Sequence, residues 1–141
     1  MADNVSEIMT KIVVCFEEDD GIVPIAKEMK KKNISCVIIK RDNMPVGVIT
    51  EKDMSGRVVA EERDIRQTKA GDIMSSPVHT IPPETNIFYT SKMMKKTGFK
   101  RFPVMKNKKL VGIITQSDIL RYFNEQRKQY VLDVLKKSGV V

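Results

Sequence analysis

The sequence predicts a small α/β (α+β) fold made of two copies of one βαββα unit, packed on each other about a pseudo-twofold axis. One observation is an internal repeat: shifting the 141-residue sequence by 65 positions aligns residues 5–56 with 70–121 without a gap, with 13 identical pairs. A second is that hydrophobic spacing changes between strand and helix periods in the same order in both halves. A unit this short buries little apolar surface alone, so we expect the copies to share a core.

Each unit is predicted to open with a strand, around Val13 and Val14 in the first and around Val78 to Ile81 in the second. A first helix follows, because apolar residues recur at helical spacing from Ile22 and again from Ile87. Residues that favour helix ends flank both segments: Asp19, Asp20 and Asn33 in the first unit, and Thr85, Asn86 and Gly98 in the second.

A hairpin is predicted next in each unit. The apolar runs "ISCVII" (34–39) and "RFPVM" (101–105) lead through the polar turns "KRDN" and "KNKK" into "PVGVIT" and "LVGIIT". A second helix should start after each final threonine, and the later one is predicted to run from about Gln116 to about Lys137. The resulting division is a first unit with its linker at 1–66, a second unit at 67–122 and a helical extension at 123–141.

Composition limits the function classes. A chain with 41% hydrophobic and 30% charged residues, no apolar run long enough to span a membrane and no export leader is expected to be cytoplasmic. Cys15, Cys36 and the single histidine, His79, do not form a zinc or disulfide pattern, and His79 is interpreted as structural or surface. We find no nucleophile–base pair, Walker loop or GxGxxG turn, so no catalytic residue, metal or catalytic cofactor is predicted.

The net charge of +7 is concentrated in the second half. Residues 5–56 carry 8 basic and 9 acidic side chains, whereas residues 70–121 carry 9 basic and 3 acidic ones, and no acidic residue lies between Glu84 and Asp118. This distribution favours an anionic ligand or partner on that side, and a solvated lysine-rich face explains it equally well.

The stretches "VGVITEKD" (46–53) and "VGIITQSD" (111–118) are the most closely repeated part of the chain. In a purely structural interpretation, glycine allows a close approach, threonine caps the next helix and aspartate completes its first turn. In a functional interpretation, the threonine hydroxyl and backbone N–H groups bind phosphate, and the aspartate accepts from the two hydroxyls of a ribose. Both interpretations stay open at this point.

The pattern G-h-h-T-x-x-D that closes each unit, with "DIMSSPVHTIPPETNI" (72–87) and "GFKRFPVMKNKKLVGIITQSDIL" (98–120), resembles a CBS domain. Over about residues 5–122, the chain resembles a stand-alone tandem pair of CBS domains, a Bateman module. The resemblance implies face-to-face packing of sheets, two clefts related by the pseudo-twofold axis, and non-enzymatic regulatory binding of AMP, ADP, ATP or S-adenosylmethionine.

The resemblance also implies roles for particular residues. Asp53 and Asp118 would accept from ribose hydroxyls, and Thr50 and Thr115 would face ribose or phosphate. One cleft is expected to combine Asp53 with Lys100, Arg101 and Thr115, and the other to combine Asp118 with Ser35, Thr50 and Lys52. The first repeat has Ser35 and Cys36 where the second has the cations, so we expect unequal sites, with a phosphorylated ligand preferred beside Asp53. Adenine is expected against Val13, Val14 and Ile34 in one unit and Val78, Thr80, Ile81 and Phe99 in the other.

The predicted partners follow from these features. The apolar residues of the last helix predict a homodimer through helical faces, and the regulated partner is expected to be an enzyme or transporter acted on in trans. An alternative is a nucleic-acid or protein interaction module that uses the basic second repeat and binds no small molecule. Nucleic acid is the less favoured partner because no aromatic residues are interleaved with the lysines.

Overall fold

The computed structural model describes residues 2–140 and has the mixed α/β fold that the sequence predicts. Met1 and Val141, the outer ends of the predicted division, lie outside the described residues. A three-stranded sheet in the first unit has the order β1-β2-β3, and a two-stranded sheet in the second is formed by β4 and β5. No helix among residues 2–140 is long and apolar enough to cross a membrane.

The first unit begins with a 3-10 helix over Val5–Glu7, and its first strand is short and pairs in parallel with the following hairpin. Its elements are β1 (Cys15–Glu17), α1 (Ile22–Lys32), β2 (Cys36–Arg41), β3 (Met44–Thr50) and α2 (Glu51–Asp53), which continues as a π-helix over Met54–Val59. Helix α1 buries Ile22, Ile25 and Met29 against the sheet, so its predicted apolar face is confirmed.

The second unit repeats the helix and the hairpin. After α3 (Ala70–Ile73), its elements are α4 (Ile87–Thr97), β4 (Arg101–Lys106), β5 (Lys109–Thr115) and α5 (Gln116–Lys137). Both hairpins turn through two residues with positive φ, as type I′ turns require: Asp42 and Asn43, and Asn107 and Lys108. The predicted hairpins and the predicted extent of α5 are confirmed.

The predicted opening strand of the second unit is wrong, because only Ile81 pairs there, in one parallel bridge with Val104. In the first unit Ile38 N donates to Val14 O at 3.0 Å. The second unit has Pro103 at the position that corresponds to Ile38. It also has Pro83 at the position of the next backbone N–H donor, on the other side of the Ile81 bridge. Proline has no N–H, so the ladder cannot extend in either direction from Ile81.

The capping prediction for α1 is also wrong. Gly21 is the N-cap, without a side-chain hydrogen bond, and the Asp20 carboxylate instead accepts from Glu17 N at 2.8 Å in the preceding turn. Asn86 caps α4 as predicted, accepting from Tyr89 N at 3.1 Å. The residues that end the two helices in the left-handed conformation are Asn33 and Gly98, as predicted.

The opening segments of the two units are exchanged. Val5, from the start of the first unit, is fully buried in the core of the second, where Phe102 also packs. Ala70 and Ile73, from the start of the second unit, are fully buried in the core of the first. Each unit therefore completes the hydrophobic core of the other.

Glycines make this exchange possible. Thr10 pairs with Ile113 next to Gly112, where an added Cβ would lie 2.9 Å from the Thr10 carbonyl oxygen. The equivalent Gly47 lies against the side chain of Met74, and its added Cβ would be 2.8 Å from that residue's Cγ. The prediction that these glycines allow a close approach is confirmed.

We predict that Gly112→Ala destabilises the protein by about 1–3 kcal/mol, because the new methyl group meets a backbone carbonyl that is fixed by the exchange. Gly56→Ala is the matched control, since nothing lies within 4 Å of its added Cβ. Urea unfolding should give a lower free energy of unfolding for the first variant only. Equal stabilities would contradict the packing described here.

Candidate functional site

A cleft of about 740 Å³ lies between the two units, at the start of α2. Its size is within the range of small-molecule sites. The predicted site residues that line it are Ser35, Thr50, Lys52, Asp53, Val78, Phe99, Lys100 and Arg101. Residues that sequence analysis did not assign to a site also line it: Val48, Glu51, Gly56, Arg57, Ser75, Ser76, Pro77, His79 and Gly98.

Asp53 is held at the edge of the cleft by the start of its own helix. Thr50 N and Thr50 Oγ1 both donate to Asp53 Oδ2, at 2.9 and 3.1 Å, and Asp53 N lies 3.2 Å from Thr50 Oγ1. This capping box leaves the aspartate 6% exposed. The threonine and aspartate thus have the structural role that their spacing predicts, which fixes the carboxylate in one orientation.

The other carboxylate oxygen meets the second unit. Ser75 Oγ donates to Asp53 Oδ1 at 2.9 Å, and Arg57 Nε lies 3.7 Å from the same oxygen. Arg57 Nη1 also donates to the carbonyl oxygens of Ile73 and Met74, at 3.2 and 2.9 Å. The carboxylate of the first unit is therefore linked to the exchanged segment of the second.

The cleft carries an excess of positive charge. Four cations line it, Lys52, Arg57, Lys100 and Arg101, against the carboxylates of Glu51 and Asp53. Such a lining favours an anionic ligand over a neutral or cationic one.

Arg101 reaches the side chain of Cys36 across the two units. Its guanidinium lies beside the Cys36 thiol and partly offsets the effect of burial, which raises the pKa of that thiol. The Nε of Arg101 is buried and has no hydrogen-bond partner among the described residues. A buried donor without a partner is uncommon in a folded protein.

The Asp118 site has the same frame and different surroundings. Thr115 N donates to Asp118 Oδ2 at 3.0 Å, and Asp118 N donates to Thr115 Oγ1 at 3.1 Å. The other oxygen, Oδ1, lies 3.4 Å from Arg121 Nη1. In the repeat, Arg121 corresponds to Gly56, which leaves open space in the Asp53 cleft.

Lys100 and Arg101 line the same cleft as Asp53, as expected, but the predicted exchange of the other residues between the clefts is wrong. Thr50, Lys52 and Ser35 line the Asp53 cleft and were expected with Asp118, whereas Thr115 was expected with Asp53. Each threonine is bonded to the aspartate three residues later, so the two cannot lie in different clefts.

The remaining predicted adenine-contact residues lie away from this cleft's lining. Ile81 is 4% exposed and packs in the core of the second unit. Ile34 packs against the core of the first unit, Val13 is half-buried and Thr80 is exposed.

His79 lines the cleft beside Val78, with its ring 5.2 Å from that of Phe102. The sequence offered no signal for this placement, because a single histidine in an apolar segment is common in cores. Among residues 2–140, no three His, Cys, Asp or Glu side chains are grouped as a metal ion would require.

Comparison with known proteins gives the family. The family model for the CBS domain matches residues 5–60 and again residues 70–125. An uncharacterised protein of Methanocaldococcus jannaschii is 40% identical over 117 residues, which cover 83% of this chain and 60% of that protein. The chain spans about half to three fifths of the length of such curated relatives.

Two crystal structures share the fold over most of the chain. A hexameric CBS-CP12 protein from bloom-forming cyanobacteria is 31% identical, with a TM-score of 0.76 and coverage of 83% of this chain and 66% of that one. The CBS domain pair of protein MJ0100, in complex with 5′-methylthioadenosine and S-adenosyl-L-methionine, is 26% identical, with a TM-score of 0.75 and coverage of 85% and 98%. The two family matches, the shared fold and the repeated G-h-h-T-x-x-D frame all indicate the same family. The chain therefore belongs to the CBS domain family, as a pair of CBS domains.

Proposed function

We propose that the protein is a non-enzymatic regulatory module that binds an adenosine-containing ligand in the Asp53 cleft. The observation that carries this proposal is the Asp53 carboxylate, fixed by Thr50 in a cleft that Lys100 and Arg101 also line. A carboxylate so placed accepts from ribose hydroxyls, and the cations lie within the same cleft for phosphate groups. The adenosine ligands bound to the CBS pair of protein MJ0100 support this class of ligand.

The charge of the cleft favours a phosphorylated ligand, AMP, ADP or ATP, over S-adenosylmethionine. Four cations and two carboxylates leave the lining positive, and a sulfonium group would be repelled by it.

The Asp118 site is proposed to be the weaker of the two. Its carboxylate already faces Arg121, and the repeat has Ser35 and Cys36 where the Asp53 cleft has Lys100 and Arg101. Without cations at these two positions, the gain from phosphate groups is expected to be smaller.

Binding is proposed to be transmitted through a homodimer to an enzyme or transporter acted on in trans. Helix α5 continues past the end of the second family match and exposes apolar side chains there: Tyr130, Val131, Leu132 and Val134. A second copy would cover such a face. The hexameric relative indicates that assemblies larger than a dimer occur in the family. A cytoplasmic location stays a prediction from composition.

The alternative, a nucleic-acid or protein interaction module, is favoured by one observation. In the described part of the chain, none of the second-half lysines 92, 95, 96, 106, 108 and 109 forms an ion pair with a carboxylate. Under this alternative, polyanion binding falls steeply with salt and is unaffected by Asp53→Ala.

We predict that isothermal titration detects saturable binding of AMP, ADP or ATP, and that Asp53→Asn weakens it about tenfold or more, as expected for a hydrogen bond to a charged group. Asp118→Asn is the matched variant in the other repeat and should leave the stronger site intact. A guanine nucleotide serves as the ligand control, and thermal unfolding checks that both variants are folded. Absence of heat with every adenosine ligand would reject the proposal.

We predict that Lys100→Met weakens AMP binding about fivefold to tenfold at low salt and leaves adenosine binding unchanged, because the side chain faces phosphate rather than ribose. Lys106→Met, an exposed lysine of the same basic half, is the control. Equal loss for AMP and adenosine would mean that Lys100 has no specific contact with phosphate.

We predict that Val131→Glu with Val134→Glu converts the protein from a dimer to a monomer, because two charges are placed in the proposed interface. Light scattering after size exclusion measures the mass. Val140→Glu places the same charge on a valine that is exposed beyond the helix and should have no effect. A wild-type protein that is monomeric would reject the α5 interface.

A further inference from the structure

The Ser75 hydroxyl occupies a hydrogen-bond acceptor position of the Asp53 carboxylate that the proposed ligand needs. Its hydroxyl donates to Asp53 Oδ1 at 2.9 Å, while Thr50 already gives two hydrogen bonds to Oδ2. A carboxylate has about four acceptor positions, two on each oxygen. Only one is left, on Oδ1, and Arg57 Nε lies 3.7 Å from that oxygen.

A ribose presents two neighbouring hydroxyl donors. To accept from both, the carboxylate must give up one of its present partners, because only one position is left. The bond from Thr50 N is part of the helix cap, and Thr50 Oγ1 is held 3.1 Å from Oδ2 because it accepts from Asp53 N in the same cap. The Ser75 hydroxyl has no such second bond, so it is the partner most easily exchanged. A rotation about χ1 suffices to withdraw it.

The rest of Ser75 is held in place. Its N–H donates to Val48 O at 2.8 Å and its carbonyl accepts from Val48 N at 3.0 Å, and the preceding Met74 packs against Gly47. Only the hydroxyl can therefore move away, and the fixed backbone keeps it within reach of the carboxylate. The competing group thus has a high local concentration at the site.

Resting on the proposed function, we propose that Ser75 is a specificity-determining residue of the Asp53 cleft, whose hydroxyl competes with the ribose diol for the Asp53 carboxylate. The competition weakens binding of ligands that need two acceptor positions and spares ligands that need one. The equivalent residue in the repeat, Thr10, has no hydrogen bond to Asp118 in the described structure, where Arg121 faces the carboxylate instead. The competition is therefore confined to the Asp53 cleft.

The test compares Ser75→Ala with wild type by isothermal titration of AMP and of 2′-deoxy-AMP. We expect Ser75→Ala to bind AMP about threefold to tenfold more tightly, as the loss of one competing hydrogen bond predicts, and to change 2′-deoxy-AMP binding much less. Ser75→Thr keeps the hydroxyl and should restore the wild-type affinity for AMP. Ser138→Ala, at an exposed serine just after α5 and outside the lining of this cleft, is the control and should bind AMP as wild type does.

A double mutant shows whether the effect passes through Asp53. In an Asp53→Asn background, adding Ser75→Ala should give no gain in AMP affinity, because the competition is for the carboxylate. Weaker or unchanged AMP binding by Ser75→Ala, with the wild type binding normally, would overturn the competition and leave the proposed function intact. Failure of both wild type and Ser75→Ala to bind any adenosine ligand would overturn both.

Discussion

Both hydrophobic cores and the candidate site are built by the exchange of opening segments between the two units. Val5 is fully buried in the core of the second unit, and Ala70 and Ile73 are fully buried in the core of the first. Neither half has a complete core by itself, which explains why a unit this small is present twice. The exchange also requires glycine at 47 and 112, since a side chain at either position would meet the incoming segment.

The same exchange builds the candidate site from both units. Asp53 is oriented by the helix cap of the first unit, and Ser75 arrives at its carboxylate only because the segment before it crosses over. Arg57 connects these parts, with Asp53 on one side and the carbonyls of Ile73 and Met74 on the other. A ligand that changes the partners of Asp53 therefore acts on atoms that join the two units, which is the physical requirement for coupling binding to their arrangement.

Local features could be predicted from the sequence, whereas most contacts between segments could not. Helices, hairpins and both threonine–aspartate caps follow from spacing within a few residues. Pro83 and Pro103 prevent the predicted opening strand of the second unit from forming. Their effect can be recognised only when the pairing register is known. No local pattern indicated a role for Ser75, because it lies 22 residues from Asp53 in the sequence. The division at 1–66, 67–122 and 123–141 and the individual ligand contacts stay predictions.

A crystal structure of the protein with AMP would show whether the ribose is bound at Asp53, because it locates the ligand against named atoms. The binding proposal predicts that both ribose hydroxyls lie within hydrogen-bond distance of the Asp53 carboxylate and that the phosphate lies beside Lys100 and Arg101. It also predicts that the Ser75 hydroxyl has turned away. AMP bound elsewhere, or in the Asp53 cleft with its ribose away from Asp53, would contradict it.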